Sequence, residues 1–444
     1  MDVFKYPEKE QWPELLKRPQ VDQEELRQKV LQIINNVKTQ GDQTLIQFAK
    51  HYDKVELDSV KVSEQEWEQA GAQLSLKLKE AIDLARTNIE KFHRSQKPIE
   101  NYIETSPGVW CWRKAVPIEK VGLYIPGGTA PLISTFLMLA VPATLAGCKE
   151  IVVCTPPNKE GSVHPAILHI ARSLNINKVF KAGGAQAIAA MAYGTESIPP
   201  VYKIFGPGNR FVTMAKQLVS MDGVGIDLPA GPSEVTVIAD ASANAEFIAA
   251  DLLSQAEHGI DSQVLLILTE EDLIEKVQQA MERQLQTLPR AKTARLALQN
   301  SKIFLVENTA QAVELSNAYA PEHLIIVTED AEELAEKVVN AGSVFIGPWT
   351  PEAAGDYASG TNHTLPTHGY AFSYSGVSQE SFMKLISFQR ISENGLRSIG
   401  RAIMELSEAE GLEAHKRAVS VRMEKIPKIL PEDAQVGEAN NGQY

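Results

Sequence analysis

The spacing of apolar and polar positions changes character along the chain. Over residues 22–41, Leu26, Val30, Ile33, Ile34 and Val37 share one face of a helix, Asp22 and Glu25 form a capping box at its start, and Gly41 ends it. Helical patterning of this kind dominates the first hundred residues. From about residue 120 the pattern becomes short apolar runs, each ending in Gly or Pro: "KVGLYIP", "EIVVCTPP", "NKVFKAGG" and "VYKIFGPG". Segments of helical length, such as residues 185–193, lie between them. A second series follows with "EVTVIAD", "QVLLILT", "KIFLVE", "HLIIVT" and "SVFIG". Strand–helix alternation predicts parallel sheets covered by helices on both faces, and the break near residues 225–235 predicts two of them.

After Gly347 a Gly-, Pro- and Ser-rich passage runs to about residue 376, too long for an idle connection. A helical tail is expected from about Gln379, and the residues beyond 430 have the polar composition of a disordered end. The fold class predicted is α/β, with two Rossmann-like parallel-sheet domains, a helical N-terminal segment and a helical C-terminal tail.

Composition narrows the function. A chain of 444 residues that is 44% apolar and 22% charged is a globular protein of more than one domain. Its formal charge of −13 argues against nucleic acid as a partner. Cys111, Cys148 and Cys154 form no CxxC pair, which fits reduced thiols in the cytoplasm. The first residues lack the basic-then-apolar pattern of a secretory signal. Residues 121–148 carry no charge, but Gly122, Gly127, Gly128, Pro126, Pro131 and Pro142 suit a strand, a turn and a buried helix better than a membrane span.

Open parallel sheets bind ligands beyond the carboxyl ends of their strands. In the first sheet those positions carry Tyr124 before "IPGG", Gln186 after "AGGA" and Asn209 after "GPG". Any one of these glycines serves equally as a plain tight turn, and "GPGNRF" lacks the third glycine of the dinucleotide fingerprint. A ligand cleft follows from the pattern; its ligand does not.

Two Glu-His pairs stand out among only nine histidines: Glu257-His258 and Glu322-His323. Gln255 and His258, three apart at a helix end, share one face, as two ligands of one metal would. A lone His there is as readily a cap that suits the helix dipole, so the metal reading needs partners. Asp356 and His363 in the long passage and His415 in the tail are available. Glu322 and His323 open an apolar strand beside a loop, and a carboxylate next to an imidazole is the material of acid–base chemistry. Cys148 and Cys154 flank a strand with no adjacent His, which suits burial rather than a thioester mechanism.

The stretch "IDLPAGPSEVTVIADASANAEFIAADLLSQAEHG", residues 226–259, closely resembles the signature of the histidinol dehydrogenase family. "GLYIPGG", "GGAQAIAA", "FGPGNRFV", "APEHL", "GDYASGTNHTLPT" and "EGLEAHK" match further blocks of that family in the same order, so the resemblance spans residues 22 to 425. Ala358 stands where some members carry another small residue. The resemblance implies a zinc site from Gln255, His258, Asp356 and His415, a base at His323 and an acid–base partner at Glu322. It implies NAD contacts from Tyr124, Gln186 and Asn209. Substrate contacts are implied for Ser233, Gln255, His258, His323, Asp356, His363, Glu410 and His415.

The activity implied is zinc-dependent, NAD-linked oxidation of L-histidinol to L-histidine, in a homodimer whose subunits share active sites. Zinc has no redox chemistry, so the electrons must pass to NAD, and a Gln–Asp–His–His set leaves room for bound substrate. The expected division is residues 1–21 as an arm, 22–123 with 235–376 as one α/β domain carrying base and metal ligands, and 124–234 as a second, NAD-binding one. Residues 377–430 are then a helical tail completing the partner's site, and 431–444 a disordered end. Two rival readings are a dehydrogenase of the same fold acting on another polar alcohol, which Glu410 and His415 disfavour, and a non-enzymatic metal- or nucleotide-binding protein, which Glu322 and His323 disfavour.

Overall fold

The computed structural model describes residues 1–19, 23–127, 132–229 and 231–427. The cap at Asp22, Gly128 and Pro131 of the Gly-rich turn, and the expected disorder of 431–444 lie outside the described residues. The chain forms two compact units: Met1–Lys97 with Pro117–Met383, and Pro98–Val116 with Lys384–Tyr444.

The first unit contains both parallel sheets. The apolar runs become β1 (Lys120–Tyr124), β2 (Glu150–Thr155), β3 (Lys178–Lys181) and β4 (Lys203–Phe205), joined by the short β5 (Gly225–Ile226). Their order across the sheet is β3-β2-β1-β4-β5, all parallel. This is a doubly wound arrangement, and its switch point lies between β1 and β4. There Gly206 follows β4 with φ +129, and a Cβ on it would collide with the Tyr124 carbonyl oxygen, so only glycine lets the loop pass.

The second series becomes β6 (Glu234–Ala239), β7 (Gln263–Leu268), β8 (Lys302–Leu305), β9 (His323–Val327) and β10 (Ser343–Ile346). They lie in the order β8-β7-β6-β9-β10, the same winding as the first sheet. An additional strand, Asp2–Lys5, pairs in parallel with β8 at the edge, so the expected arm begins as a sheet strand. Strands buried on both faces need unbroken apolar runs, as "HLIIV" shows: Leu324, Ile325 and Ile326 are fully buried, each worth roughly 1.5–3 kcal/mol.

The grouping of residues 22–123 with 235–376 differs from the packing. Helix Gln23–Gln40 packs on helices Gly184–Tyr193 and Arg210–Met221, and helix Leu76–Arg94 on helix Ile133–Ala146. Leu26, Val30, Ile34 and Val37 thus share a core with the β1–β5 sheet. An amphipathic helix advertises a buried face but not which sheet it will cover. β1 also crosses the expected boundary at 123/124, since Tyr124 is its last residue.

The second unit is not purely helical. Strand Met383–Ile391 lies beside Val109–Pro117, which pairs antiparallel with Ile103–Ser106. Tyr102, Trp112 and Phe388 stack in a ladder with centroids 4.9 and 5.5 Å apart. The expected tail therefore opens as a strand: "MKLISFQRI" finds aromatic cross-strand partners far earlier in the chain, and aromatic pairs of this kind stabilise a sheet. Helices Glu393–Ala409 and Glu413–Met423 follow and pack on each other across Gly411, which has φ +70.

Candidate active site

At the switch point of the first sheet, Tyr124 is buried and its hydroxyl accepts the Gly184 N–H at 3.1 Å. Burial pushes its phenol up to about 12, so it stays neutral. Gln186 is buried in the first turn of helix Gly184–Tyr193. Asn209 is exposed, and its side chain caps helix Arg210–Met221 by accepting from the N–H groups of Phe211 and Val212 at 3.0 and 3.2 Å. Of the three residues expected to contact a nucleotide, Tyr124 ends β1, and Gln186 and Asn209 follow β3 and β4 at helix N-termini on the same sheet edge.

In the second sheet the chemistry gathers at the opposite, amino edge. His323 opens β9 in register with Val235 of β6, so the chain before each strand meets its neighbour. Glu322 and His323 are both buried, and the Glu322 carboxylate accepts the Glu234 backbone N–H at 2.9 Å. Nδ1 of His323 lies 3.2 Å from the Glu234 carbonyl oxygen and 2.8 Å from Nε2 of Gln255, which itself faces that carbonyl at 3.3 Å. A carbonyl has two lone pairs and can accept from both. Nδ1 thus faces both the Gln255 amide and that carbonyl, while Nε2 is buried without a hydrogen-bond partner and 3.6 Å from Asp356. Gly342 lets the strands close on this edge, since a Cβ there would meet the Glu322 carbonyl oxygen at 2.6 Å.

Helix Ala245–Ala256 returns to the same edge and delivers Gln255 in its last turn, followed by the cap residue Glu257 and by His258. The two Glu-His pairs therefore differ: Glu322-His323 is buried, whereas His258 is exposed and Glu257 ends a helix. The short helix Glu352–Tyr357 supplies Glu352 and Asp356 one turn apart. Ligand atoms of His258, Glu352 and Asp356 lie within 4.8 Å of one another. His363 joins from the following loop, with Nδ1 3.7 Å from Asp356 and Nε2 2.8 Å from the Thr135 hydroxyl. Thr135 belongs to the helix after β1, so His363 bridges the carboxylate cluster to the first sheet.

Burial alone would lower His323, but the carboxylates of Glu322 and Asp356 outweigh it and hold the imidazole well above its ordinary value. Burial raises Glu352 to about 8, although the Ser254 hydroxyl donates to it at 3.0 Å. Burial would also raise Asp356, yet the His323 and His363 rings beside it hold it down. Burial pushes His363 down. So many buried carboxylates around so little positive charge form a cation-seeking site.

The donor set fits a divalent metal. Gln255 Oε1 and Asp356 Oδ1 are buried acceptors without a hydrogen-bond donor, and Asp356 lies beside the imidazole of His258. Glu352 stands among them, and the sequence reading missed it. The spacing Glu352–Asp356 on one helical turn was the available signal, but the passage reads as irregular loop. Of the other expected residues, Ser233 is half-buried just before β6, where its carbonyl accepts the Gln263 N–H at 3.2 Å. Glu410 and His415 are exposed residues of the second unit, at the end of one helix and in the next.

Residues 16–423 match the family model described as histidinol dehydrogenase. The histidinol dehydrogenase of Bacteroides thetaiotaomicron is 59% identical over 426 residues, covering 96% of this chain and 100% of the relative. That of Escherichia coli is 50% identical over 420 residues, covering 94% and 96%. The crystal structure of histidinol dehydrogenase from Elizabethkingia anophelis superposes with a TM-score of 0.93 at 51% identity, covering 96% of this chain and 98% of that one.

Proposed function

The chain belongs to the histidinol dehydrogenase family of oxidoreductases, and from that premise we propose that it oxidises L-histidinol to L-histidine through bound L-histidinaldehyde. The observation that carries this reading is the buried Glu322–His323 pair set against unsatisfied acceptors of a metal-binding kind. Gln255, His258 and Asp356, with His415, would hold zinc; Tyr124, Gln186 and Asn209 would contact NAD. When bound, zinc would supply a Lewis-acid anchor for the amine and imidazole nitrogens of the substrate, and NAD the acceptor for its hydrides.

The protein's own groups then handle protons and position. Nε2 of His323, with no hydrogen-bond partner of its own, takes the alcohol proton. A cation held by Asp356 would offset the carboxylate charge that holds the His323 imidazole up, and so would favour its neutral, proton-accepting form. In the second half-reaction Glu322, 3.5 Å from the ring, works with His323 to draw a proton from water as it adds to the aldehyde. Burial of both residues keeps other water away. His363, fixed by Thr135, and Ser233 line the substrate side.

Glu410 and His415 complete the site from a partner subunit in a homodimer, which gives the exposed tail residues a function. The three free cysteines suit the cytoplasm, and none of the described helices is long and apolar enough to cross a membrane. Burial raises the Cys148 thiol to about 12 and that of Cys154 higher still, too inert for a thioester route. The test is stoichiometric: the purified protein with zinc, limiting histidinol and excess NAD should form two NADH per histidinol. One NADH, with aldehyde accumulating, would refute oxidation of the alcohol all the way to the acid.

A further inference from the structure

Glu234 has no part in the chemistry described above, yet its peptide touches three residues that do. Its N–H donates to the Glu322 carboxylate, and its carbonyl faces both His323 and Gln255. Its own carboxylate is buried and pairs with Arg18. Arg18 grips that carboxylate with two nitrogens, Nε on one oxygen and Nη2 on the other at 2.9 Å. The His368 N–H adds a third donor at 3.0 Å.

The same Nη2 also donates to the Tyr319 carbonyl at 2.8 Å, and the guanidinium lies 3.9 Å from the Tyr319 ring centroid. Tyr319 ends helix Thr309–Tyr319, and the next residue, Ala320, has φ +53, a left-handed conformation that strains any residue but glycine. Two residues later come Glu322 and His323. One planar side chain therefore ties the start of β6 to the turn from which the acid–base pair emerges. A rigid bidentate fork suits this work, and a lysine ammonium, a point charge of shorter reach, could not hold both carboxylate oxygens and the carbonyl together.

We propose that Arg18 and Glu234 are positioning residues that set the placement of Glu322 and His323, an inference that rests on the acid–base reading of that pair. Loosening the fork then displaces the pair without removing substrate or metal ligands.

The test uses full-length, zinc-loaded protein and the variants Arg18→Lys, Arg18→Ala and Glu234→Gln. Zinc content, melting temperature, and kcat and KM for histidinol are measured for each, well below the melting temperature. All three variants are expected to keep zinc and to hold KM within about threefold, while kcat per zinc-loaded site falls by about 10²-fold, the cost typical of an ångström of misplacement. Arg18 borders a surface depression lined by Lys9, Trp12, Pro13, Leu16 and Ala318, so guanidinium ion can reach the space left in Arg18→Ala. Added guanidinium is expected to restore a measurable part of its kcat and none of that of Glu234→Gln. A purely structural pair would lower the melting temperature and the zinc-loaded fraction while leaving kcat per loaded site unchanged; that result in Arg18→Lys or Glu234→Gln overturns the proposal, whether or not Arg18→Ala folds. An inactive wild-type protein would instead refute the acid–base reading beneath it.

Discussion

Glu352 offers a test of the site's electrostatics that needs no substrate. It is buried, and its carboxyl is raised from 4.5 to about 8 in the folded chain because burial penalises its charged form. An acid raised on folding contributes stability that is complete below its unfolded value and is lost as pH rises through its folded value. The window is therefore from about 4.5 to about 8. At about 1.4 kcal/mol per pH decade, raising the pH from about 5.5 to about 8 removes roughly 3 kcal/mol through this one group. Glu352→Gln keeps the shape and can still accept from Ser254, but it has no proton to lose. With metal removed by chelation, wild type and variant should melt together near pH 5 and separate as pH rises. The variant should be the more stable by about 3 °C near pH 8.5, taking about 1 °C per kcal/mol for a unit of several hundred residues. Parallel melting curves across the whole range would show that burial does not hold Glu352 neutral.

Three further outcomes are expected. His258→Ala should remain folded and lose tightly bound zinc with nearly all activity, as metal analysis of the purified variant will show; stoichiometric zinc at unchanged affinity contradicts its role as a ligand. His323→Asn should keep zinc and substrate binding but slow alcohol oxidation by ~10²–10⁴-fold, whereas Glu322→Gln should slow oxidation of histidinal more than that of histidinol. Equal losses in both half-reactions would deny the two residues separate tasks. Mixing inactive His323→Asn and His415→Ala chains after mild unfolding should recover about a quarter of wild-type activity, because random pairing puts one intact site in half of all dimers. No recovery, with exchange confirmed by tags, would place the tail in its own subunit's site.

Of strands β1 to β10, all but the two-residue β5 are legible in the sequence, because strands buried on both faces must be unbroken apolar runs. The Gly-rich turns after β1, β3 and β4 are legible too, since a close backbone crossing such as Gly206 against Tyr124 admits one residue type. The likeness of "APEHL" and its companion blocks to a known family marked Gln255, His258, Glu322, His323 and Asp356, and the fold brings these into one place. Local pattern could not tell which sheet the helices of residues 23–94 would cover, nor that "MKLISFQRI" would pair as a strand with residues far earlier in the chain. Both outcomes depend on partners distant in sequence. The same holds for Glu352, Glu234 and Arg18. A charged residue in a loop, at the start of a strand or near a terminus carries no local sign that it will be buried. Glu234 loses its water at the start of β6, Glu352 loses it against Ser254 of helix Ala245–Ala256, and Arg18 is half-covered where it grips Glu234, all through partners far away in the sequence.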